Sequence, residues 1–212
     1  MIPAMHVGGD YYDFIKVSEN KLFIIIGDVS GKGLAASFYM SKLQTMVRLY
    51  CNEYSSPKEV LTKVNKIMYE SIERSWFITV AIGLFDLEKK KLYYCRAGHT
   101  PLIEMNVNSI LHYQSKGIGV GLEKGDIFDS SLDEIVIDLN RKHSYIFFSD
   151  GITEAMNEHD EMYGNTRFEK LLIENSHKSS NEILQLTLQS LEAFRTKSPQ
   201  NDDITLVVVK YN

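Results

Sequence analysis

The chain has 212 residues, of which 44% are hydrophobic and 24% are charged, and 23 basic residues stand against 28 acidic ones for a net charge of −5. This length and composition are typical of one soluble globular domain with a sizeable core, and the acidic balance without a dense basic patch argues against a nucleic-acid-binding protein. No apolar run approaches the ~20 residues that cross a bilayer, and the start shows no signal-peptide pattern, so we expect a cytoplasmic setting. The two cysteines, Cys51 and Cys95, lack the C-x-x-C spacing of zinc and redox sites, so we expect two free thiols.

The predicted elements form clusters of strands and pairs of helices. Strands are predicted at 11–17, 21–28, 76–86, 91–98, 101–105, 109–114, 134–139, 143–150 and 204–211. Helices are predicted at 33–54, 56–74, 167–176 and 180–195. Because strands and helices are clustered rather than alternating, the order predicts an α+β protein with antiparallel sheets covered by helices.

The first two helices each carry apolar residues at helical spacing, and we expect these residues to face the core. In the first helix they include Leu34, Phe38, Met40 and Met46, and in the second they include Ile67. Ser56 is predicted to cap the second helix, with Pro57 in its first turn. The glycine-rich stretch 115–130 is expected to be a mobile loop that flanks the functional site.

The segment IIIGDVSGKGLAAS, residues 24–37, has the look of a phosphate-binding loop. A P-loop needs two glycines separated by four residues, followed by lysine and then serine or threonine. Here Gly27 and Gly31 are separated by three residues, and Lys32 is followed by Gly33. The spacing therefore argues against a nucleotide-binding enzyme. Lys32 is a candidate to attract a phosphate, but an exposed lysine is its expected state.

Acidic residues stand instead at the ends of several predicted strands. Asp10 and Asp28 each lie nine positions from Glu19, so a hairpin centred on that turn places them opposite each other. Asp150 ends one strand and the pair Asp202–Asp203 precedes the last one, so these residues also meet at one edge if the two strands are antiparallel neighbours.

Aspartates gathered at one edge repel one another, and a divalent cation relieves the repulsion. Carboxylates suit hard ions such as Mg²⁺ or Mn²⁺, and no histidine or cysteine stands beside these motifs, His6 being the nearest. The competing interpretation is turn chemistry, since aspartate beside glycine is common at strand ends. Four such sites together favour a two-metal hydrolytic site.

Five motifs in this chain resemble those of the bacterial PP2C-like (PPM) serine/threonine phosphatases, and more narrowly their SpoIIE/RsbU-type branch. In chain order they are VGGDYYDF, GDVSGKGLAAS, RAGHTPLI, FSDGITEAMN…MYG and NDDITLVVV. The resemblance covers about residues 2–209. It implies an αββα four-layer sandwich, in which two antiparallel sheets are flanked by pairs of helices.

The resemblance also implies a metal site at one end of the sandwich, which holds two Mn²⁺ or Mg²⁺ ions. The matching metal ligands are Asp10, Asp28 as the bridging carboxylate, the backbone carbonyl of Val29, Asp150 and Asp202, with Asp203 as an ambiguous neighbour. Because alternate strand residues point in opposite directions, only one of the last two is expected to face the ions. The carboxylates would act in catalysis through the bound ions and water, and no site for an organic cofactor is expected.

The function that the resemblance implies is hydrolysis of a phosphoserine or phosphothreonine by a water that the two ions activate. The substrate expected for this branch is a regulatory protein, a phosphorylated anti-sigma factor antagonist of the STAS type. A catalytically silent domain of the same fold, which only binds a partner, is the alternative. Related proteins carry an upstream sensor or receiver domain, so we expect residues 1–212 to be one phosphatase domain that lacks its first strand or an upstream regulatory region; a homodimer stays open.

Two departures from the family pattern concern the chemistry. Ser30 stands where many eukaryotic relatives have a histidine assigned as general acid, and no arginine near Asp10 matches their phosphate-binding arginine. His99 and Thr79 are expected to be structural. Glu154 and Asn157 are expected to cap turns or to support Asp150.

Overall fold

The computed structural model describes residues 1–4 and 8–212, so His6 and the first residue of the first motif, Val7, lie outside the described residues. The strands are β1 Asp10–Ser18, β2 Lys21–Val29, β3 Ile78–Asp86, β4 Lys91–Ala97, β5 Leu102–Met105, β6 Ile110–Tyr113, β7 Glu134–Asp138, β8 Ser144–Phe148 and β9 Leu206–Lys210. The helices are α1 Leu34–Glu53, α2 Pro57–Ser71, α3 Gly125–Ser131, α4 Asp150–Thr153, α5 Gly164–Glu174 and α6 Ser180–Arg195.

The strands form two sheets in which every pair of neighbours is antiparallel. The first sheet has the order β1-β2-β3-β4-β7, and the second has the order β6-β5-β8-β9. In the first hairpin Asp10 pairs with Asp28, which confirms the register counted from the turn. In the second sheet β8 pairs with β9, which confirms that Asp150 and the Asp202–Asp203 pair lie at one edge.

The alternation of side chains along the strands builds three layers of core. Along β2, Phe23 and Ile25 pack against the first helical pair, whereas Ile24 and Ile26 pack between the sheets. Along β8, Ile146 packs toward α5 and α6, and Phe147 packs between the sheets. Helices α1 and α2 therefore cover one sheet and α5 and α6 cover the other, which confirms the αββα sandwich.

Local helix signals agree with the structure at two N-termini. The Ser56 side chain accepts a hydrogen bond from the backbone N–H of Glu59, and Pro57 is the first residue of α2. At α6, Ser179 and Glu182 form a reciprocal capping box. These caps fix the residues at which α2 and α6 begin.

Two expectations about exposure are wrong, and the expectation that residues 115–130 form a loop is only partly right. Within that stretch Val120 is buried and exchanges two backbone hydrogen bonds with Ile78, and the stretch runs into α3. Phe38 and Leu34 are 68% and 67% exposed, because they lie on the side of α1 opposite Leu43 and the other core residues. Ile67 is 39% exposed for the same reason in α2.

Both cysteines are buried free thiols, as the sequence predicts. Burial raises the pKa of Cys51 and of Cys95 to about 12, so neither is a ready nucleophile at neutral pH. None of the helices among the described residues is both long and apolar enough to span a bilayer.

Candidate active site

Five aspartates from both sheets gather at one pole of the sandwich. Asp10 and Asp28 come from the first hairpin, Asp150 follows β8, and Asp202 and Asp203 precede β9. The sheets are tied together here, since the Thr205 hydroxyl donates to Asp10 Oδ2 at 2.5 Å and the Gly9 N–H donates to Asp203 Oδ2 at 2.5 Å. The structure thus brings together every carboxylate predicted from the motifs.

Asp10 lies under this pole and is only 7% exposed. Burial, opposed by hydrogen bonds from Thr205 and Ser149 and aided by the charges of Asp203 and Asp150, raises the pKa of Asp10 from 3.8 to about 7. A carboxyl group in this position is costly to ionise without a cation nearby.

The pKa of Asp28 is raised for similar reasons, and more charged neighbours contribute to the increase. Burial first, and then the charges of the other four aspartates at the pole, together raise the pKa of Asp28 from 3.8 to about 8. Two carboxyl groups whose pKa values are displaced so far by burial and like charge mark a candidate functional site.

Asp150 is the first residue of the short helix α4. Burial raises the pKa of Asp150, and the charges of Glu154 and Asp202 raise it further. Asn157, in contrast, accepts hydrogen bonds from the backbone N–H groups of His159 and Glu161, so its side chain stabilises its own loop.

The two adjacent aspartates have different surroundings. Asp203 is 6% exposed, and its carboxylate accepts backbone N–H groups of Ala4, Gly9 and Asp10. The Asp202 carboxylate is about one third exposed and lies 3.1 Å from Lys32 Nζ. The Asp203 carboxylate therefore positions the backbone around the start of β1, whereas the Asp202 carboxylate is still partly open to solvent.

The donor atoms at this pole fit a hard divalent cation in chemistry. All are oxygens, and a Cβ on Gly9 would lie 3.3 Å from Asp28 Oδ1, 3.4 Å from the Val29 carbonyl oxygen and 3.1 Å from the Gly31 carbonyl oxygen. Within residues 1–4 and 8–212, however, no three acidic, histidine or cysteine side chains are arranged as a complete ligand set. The residues fit Mg²⁺ or Mn²⁺, and their role as ligands stays a prediction.

Ser30 forms hydrogen bonds that stabilise the local fold. Its hydroxyl accepts the Phe77 N–H at 2.8 Å, and its own N–H donates to the Phe77 carbonyl at 2.9 Å. These bonds fasten the end of β2 to the residue just before β3. A serine held in this way is a poor candidate for the general acid.

His99 is buried and supports the same strand end indirectly. Its Nδ1 lies 2.8 Å from Thr79 Oγ1, and that hydroxyl lies 3.4 Å from the Asp28 carbonyl oxygen. Burial lowers the pKa of His99 to about 3, so the ring is neutral at physiological pH. These contacts agree with a structural role for His99 rather than with a role as a general base.

Sequence reasoning missed three polar contacts at this pole. Thr205 donates to Asp10, Ser149 donates to the Asp203 carbonyl at 3.2 Å, and Lys32 pairs with Asp202. Thr205 and Ser149 lie within quoted motifs, two residues from Asp203 and one residue from Asp150, which is a usable signal. The Lys32 contact spans nearly the whole chain and has no local signal.

The chain matches the model of a protein family described as stage II sporulation protein E (SpoIIE) over residues 18–212. It is 28% identical to the phosphoserine phosphatase RsbU of Bacillus subtilis over 211 residues, which cover 99% of this chain and 61% of RsbU. It is also 28% identical to protein IcfG of Synechocystis over 238 residues, covering 99% of this chain and 37% of IcfG. The chain thus spans less than two thirds of the length of these relatives.

Solved structures share the fold. The PP2C domain of SiaA from Pseudomonas aeruginosa superposes with a TM-score of 0.89 at 18% identity, covering 100% of this chain and 83% of that one. The PP2C phosphatase domain of SpoIIE from Bacillus subtilis superposes with a TM-score of 0.81 at 20% identity, covering 97% and 59%. At these identities the likeness shows a common architecture.

Proposed function

Because the chain belongs to the SpoIIE family of PP2C-type phosphatase domains, we propose that it is a metal-dependent phosphatase for phosphoserine or phosphothreonine in a regulatory protein. The observation that carries the proposal is the cluster of aspartates from two sheets, in which burial and like charge raise the pKa of Asp28 to about 8. Such a cluster is costly for a purely structural domain and is useful to a protein that binds divalent cations.

The ligand set that we propose for two Mn²⁺ or Mg²⁺ ions is Asp10, Asp28, the Val29 carbonyl, Asp150 and Asp202. Asp203 is assigned a positioning role instead, since its carboxylate already accepts three backbone N–H groups. When bound, such ions supply Lewis acidity toward water and toward the phosphoryl oxygens.

The protein's own residues hold this set in place. Thr205 donates to Asp10 Oδ2, which leaves the other oxygen of Asp10 free of that bond. Asp203 fixes the backbone of Gly9 and Asp10, and Ser30 fixes the turn that follows Asp28 and Val29. Asp28 and Asp10 are thereby pre-positioned by hydrogen bonds from both sheets.

The surface beside the site suits a protein substrate. Leu34 and Phe38 stand on the first two turns of α1, directly after the loop that contains Ser30 and Lys32, and both are about two thirds exposed. RsbU is named a phosphoserine phosphatase, and a solved relative from Mycobacterium tuberculosis combines RsbU and RsbW domains. We therefore propose a phosphorylated anti-sigma factor antagonist as the substrate, contacting this apolar surface while its phosphoserine enters the site.

The proposal is tested by hydrolysis of p-nitrophenyl phosphate and of a phosphoserine peptide in the presence of Mn²⁺. We expect Asp28→Asn and Asp150→Asn each to lower kcat/KM by about 100-fold or more, because each variant removes a charged ligand. Asp138→Asn is the matched control, since Asp138 is an exposed carboxylate at the far end of the first sheet, where β7 pairs with Lys91.

An inert wild type, or full activity in both variants, would contradict the proposal. Calorimetric titration with Mn²⁺ separates the phosphatase from the catalytically silent alternative. The phosphatase is expected to bind Mn²⁺ stoichiometrically, and the silent domain is not.

A further inference from the structure

Lys32 reaches across the acidic pole from one sheet to the other. It lies in the loop between β2 and α1, between Gly31 and Gly33, whose φ angles of +149° and +79° are rarely adopted by other residues. Its Nζ lies 3.1 Å from Asp202 Oδ2 and also donates to the Asn201 carbonyl oxygen. A basic side chain from the first sheet is thus placed at the open side of Asp202.

The Lys32–Asp202 ion pair places a positive charge at an otherwise acidic pole. Among the ion pairs formed by residues 1–4 and 8–212, it is the one that involves any of the five clustered aspartates. The other four aspartates at the pole are neighboured by further carboxylates, hydroxyl groups and backbone N–H groups. Lys32 therefore supplies the cationic side chain seen at this pole.

The Lys32 ammonium is available to a further partner. Its side chain is 46% exposed and that of Asp202 is 35% exposed, so the pair is weak and can exchange at small cost. An ammonium has three N–H donors, and the two contacts described use two of them. One N–H donor is therefore left for a further partner.

We propose that Lys32 binds the phosphoryl group of the substrate. A phosphomonoester carries close to two negative charges at neutral pH, so it is repelled by a pole that contains five aspartates. Charge-assisted hydrogen bonds from an ammonium at the rim offset this repulsion where the phosphoryl group enters. The inference rests on the proposed phosphatase function and deepens it by naming the chain's own phosphate-binding residue.

The competing interpretation is that Lys32 merely neutralises Asp202. A counter-ion of that kind competes with a divalent cation for the carboxylate, so its removal tightens Mn²⁺ binding and leaves phosphate binding unchanged. A phosphate-binding residue behaves in the opposite way, because its removal weakens phosphate binding whatever happens to Mn²⁺. The two interpretations are therefore separated by measuring both ligands on the same variants.

The experiment uses the full chain loaded with Mn²⁺ and compares Lys32→Met with Lys32→Arg. Inorganic phosphate is the probe, and its affinity is measured by calorimetry and as an inhibition constant against p-nitrophenyl phosphate, with Mn²⁺ affinity titrated separately. We expect Lys32→Met to weaken phosphate binding and to raise KM by about 10-fold or more, whereas Lys32→Arg stays within about 3-fold of wild type. Lys42→Met is the matched control, since Lys42 lies eight residues, or about 12 Å, beyond the first residue of α1.

Unchanged phosphate affinity in Lys32→Met would overturn the proposal, and tighter Mn²⁺ binding together with that result would identify Lys32 as a mere counter-ion of Asp202. Thermal melting checks that both variants fold. A wild-type protein that binds neither Mn²⁺ nor phosphate would overturn the proposed function and the phosphoryl role with it. Loss of phosphate binding in Lys32→Met with a Mn²⁺-binding, active wild type supports both.

Discussion

Asp28 illustrates how this protein concentrates unfavourable charge at one place. Its carboxyl group is partly buried and faces four other aspartates, and its pKa rises to about 8 as a result. Asp10 is more buried still, and its pKa rises to about 7. Each group would be easier to accommodate as a neutral side chain, so their occurrence together supports the proposed ligand-binding role rather than a contribution to stability.

This charge has a consequence for the metal-free protein. The folded-state pKa of Asp28 lies above its ordinary value of 3.8. Between about pH 4 and pH 8 the folded protein therefore holds a proton that the unfolded chain has already released. The stability contributed by the protonated group is fully present below the unfolded pKa and is lost as pH rises through about 8. We predict that Asp28→Asn, in chelator, raises the melting temperature at pH 8 and has a smaller effect at pH 5.

Thermal melting in EDTA at the two pH values checks this prediction, with Asp138→Asn as the control that changes the same functional group on an exposed strand. A melting temperature for Asp28→Asn at or below that of wild type at pH 8 would show that the carboxylate stabilises the fold. The same variant is expected to lose activity, so stability and function would move in opposite directions.

Helix α1 carries apolar side chains on two opposite faces. One face, with Leu43 and Val47, packs on the first sheet, whereas Leu34, Phe38 and Leu49 lie on the solvent side and are each more than half exposed. A helix that is apolar all round is normally buried, so the solvent face of α1 is suited to a partner. The end of this face that contains Leu34 and Phe38 adjoins the loop of Lys32.

We predict that Phe38→Ser lowers kcat/KM toward the phosphoprotein substrate by about 10-fold and leaves hydrolysis of p-nitrophenyl phosphate unchanged, because an aromatic side chain is a strong interface contact and a small substrate does not reach it. Leu49→Ser is the matched control, since it lies on the same face eleven residues, or about 16 Å, further along α1. Equal losses on both substrates would point to a structural role for Phe38 instead.

The sandwich as a whole brings carboxylates from two sheets to one pole. Asp10 and Asp28 belong to the first sheet, whereas Asp150, Asp202 and Asp203 belong to the second, and the layer between the sheets sets their separation. Phe147 lies in that layer, 1% exposed, with its ring 6.2 Å from that of Tyr94 and 6.5 Å from that of Phe85. The geometry of the site thus depends on core packing far from any aspartate.

We predict that Phe147→Ala lowers the free energy of unfolding by about 3–5 kcal/mol, because it leaves a cavity between two packed sheets. Urea denaturation measures the change. Phe14→Ala on β1 is the matched control, since Phe14 is 48% exposed and its truncation is expected to cost far less. Similar losses in the two variants would show that the layer between the sheets is not the main source of stability.

Much of this molecule is readable from local sequence. The clustered strands and helices predict the αββα order, and counting nine positions to either side of Glu19 places Asp10 opposite Asp28, because a hairpin's register follows from its turn. The five ordered motifs identify the family. The caps at Ser56 and Pro57 are also local, since a cap bonds to a backbone group only a few residues away.

The remaining features depend on residues that meet only after the sheets stack. The Asp10–Thr205 and Lys32–Asp202 contacts join opposite ends of the chain, so no propensity or spacing indicates them. The different surroundings of Asp202 and Asp203 follow from the backbone of Ala4, Gly9 and Asp10, which the sequence alone does not bring near β9. Periodicity identifies the apolar positions of α1, but which of them lies against the sheet is set by how the helix packs, and Phe38 is therefore left in solvent.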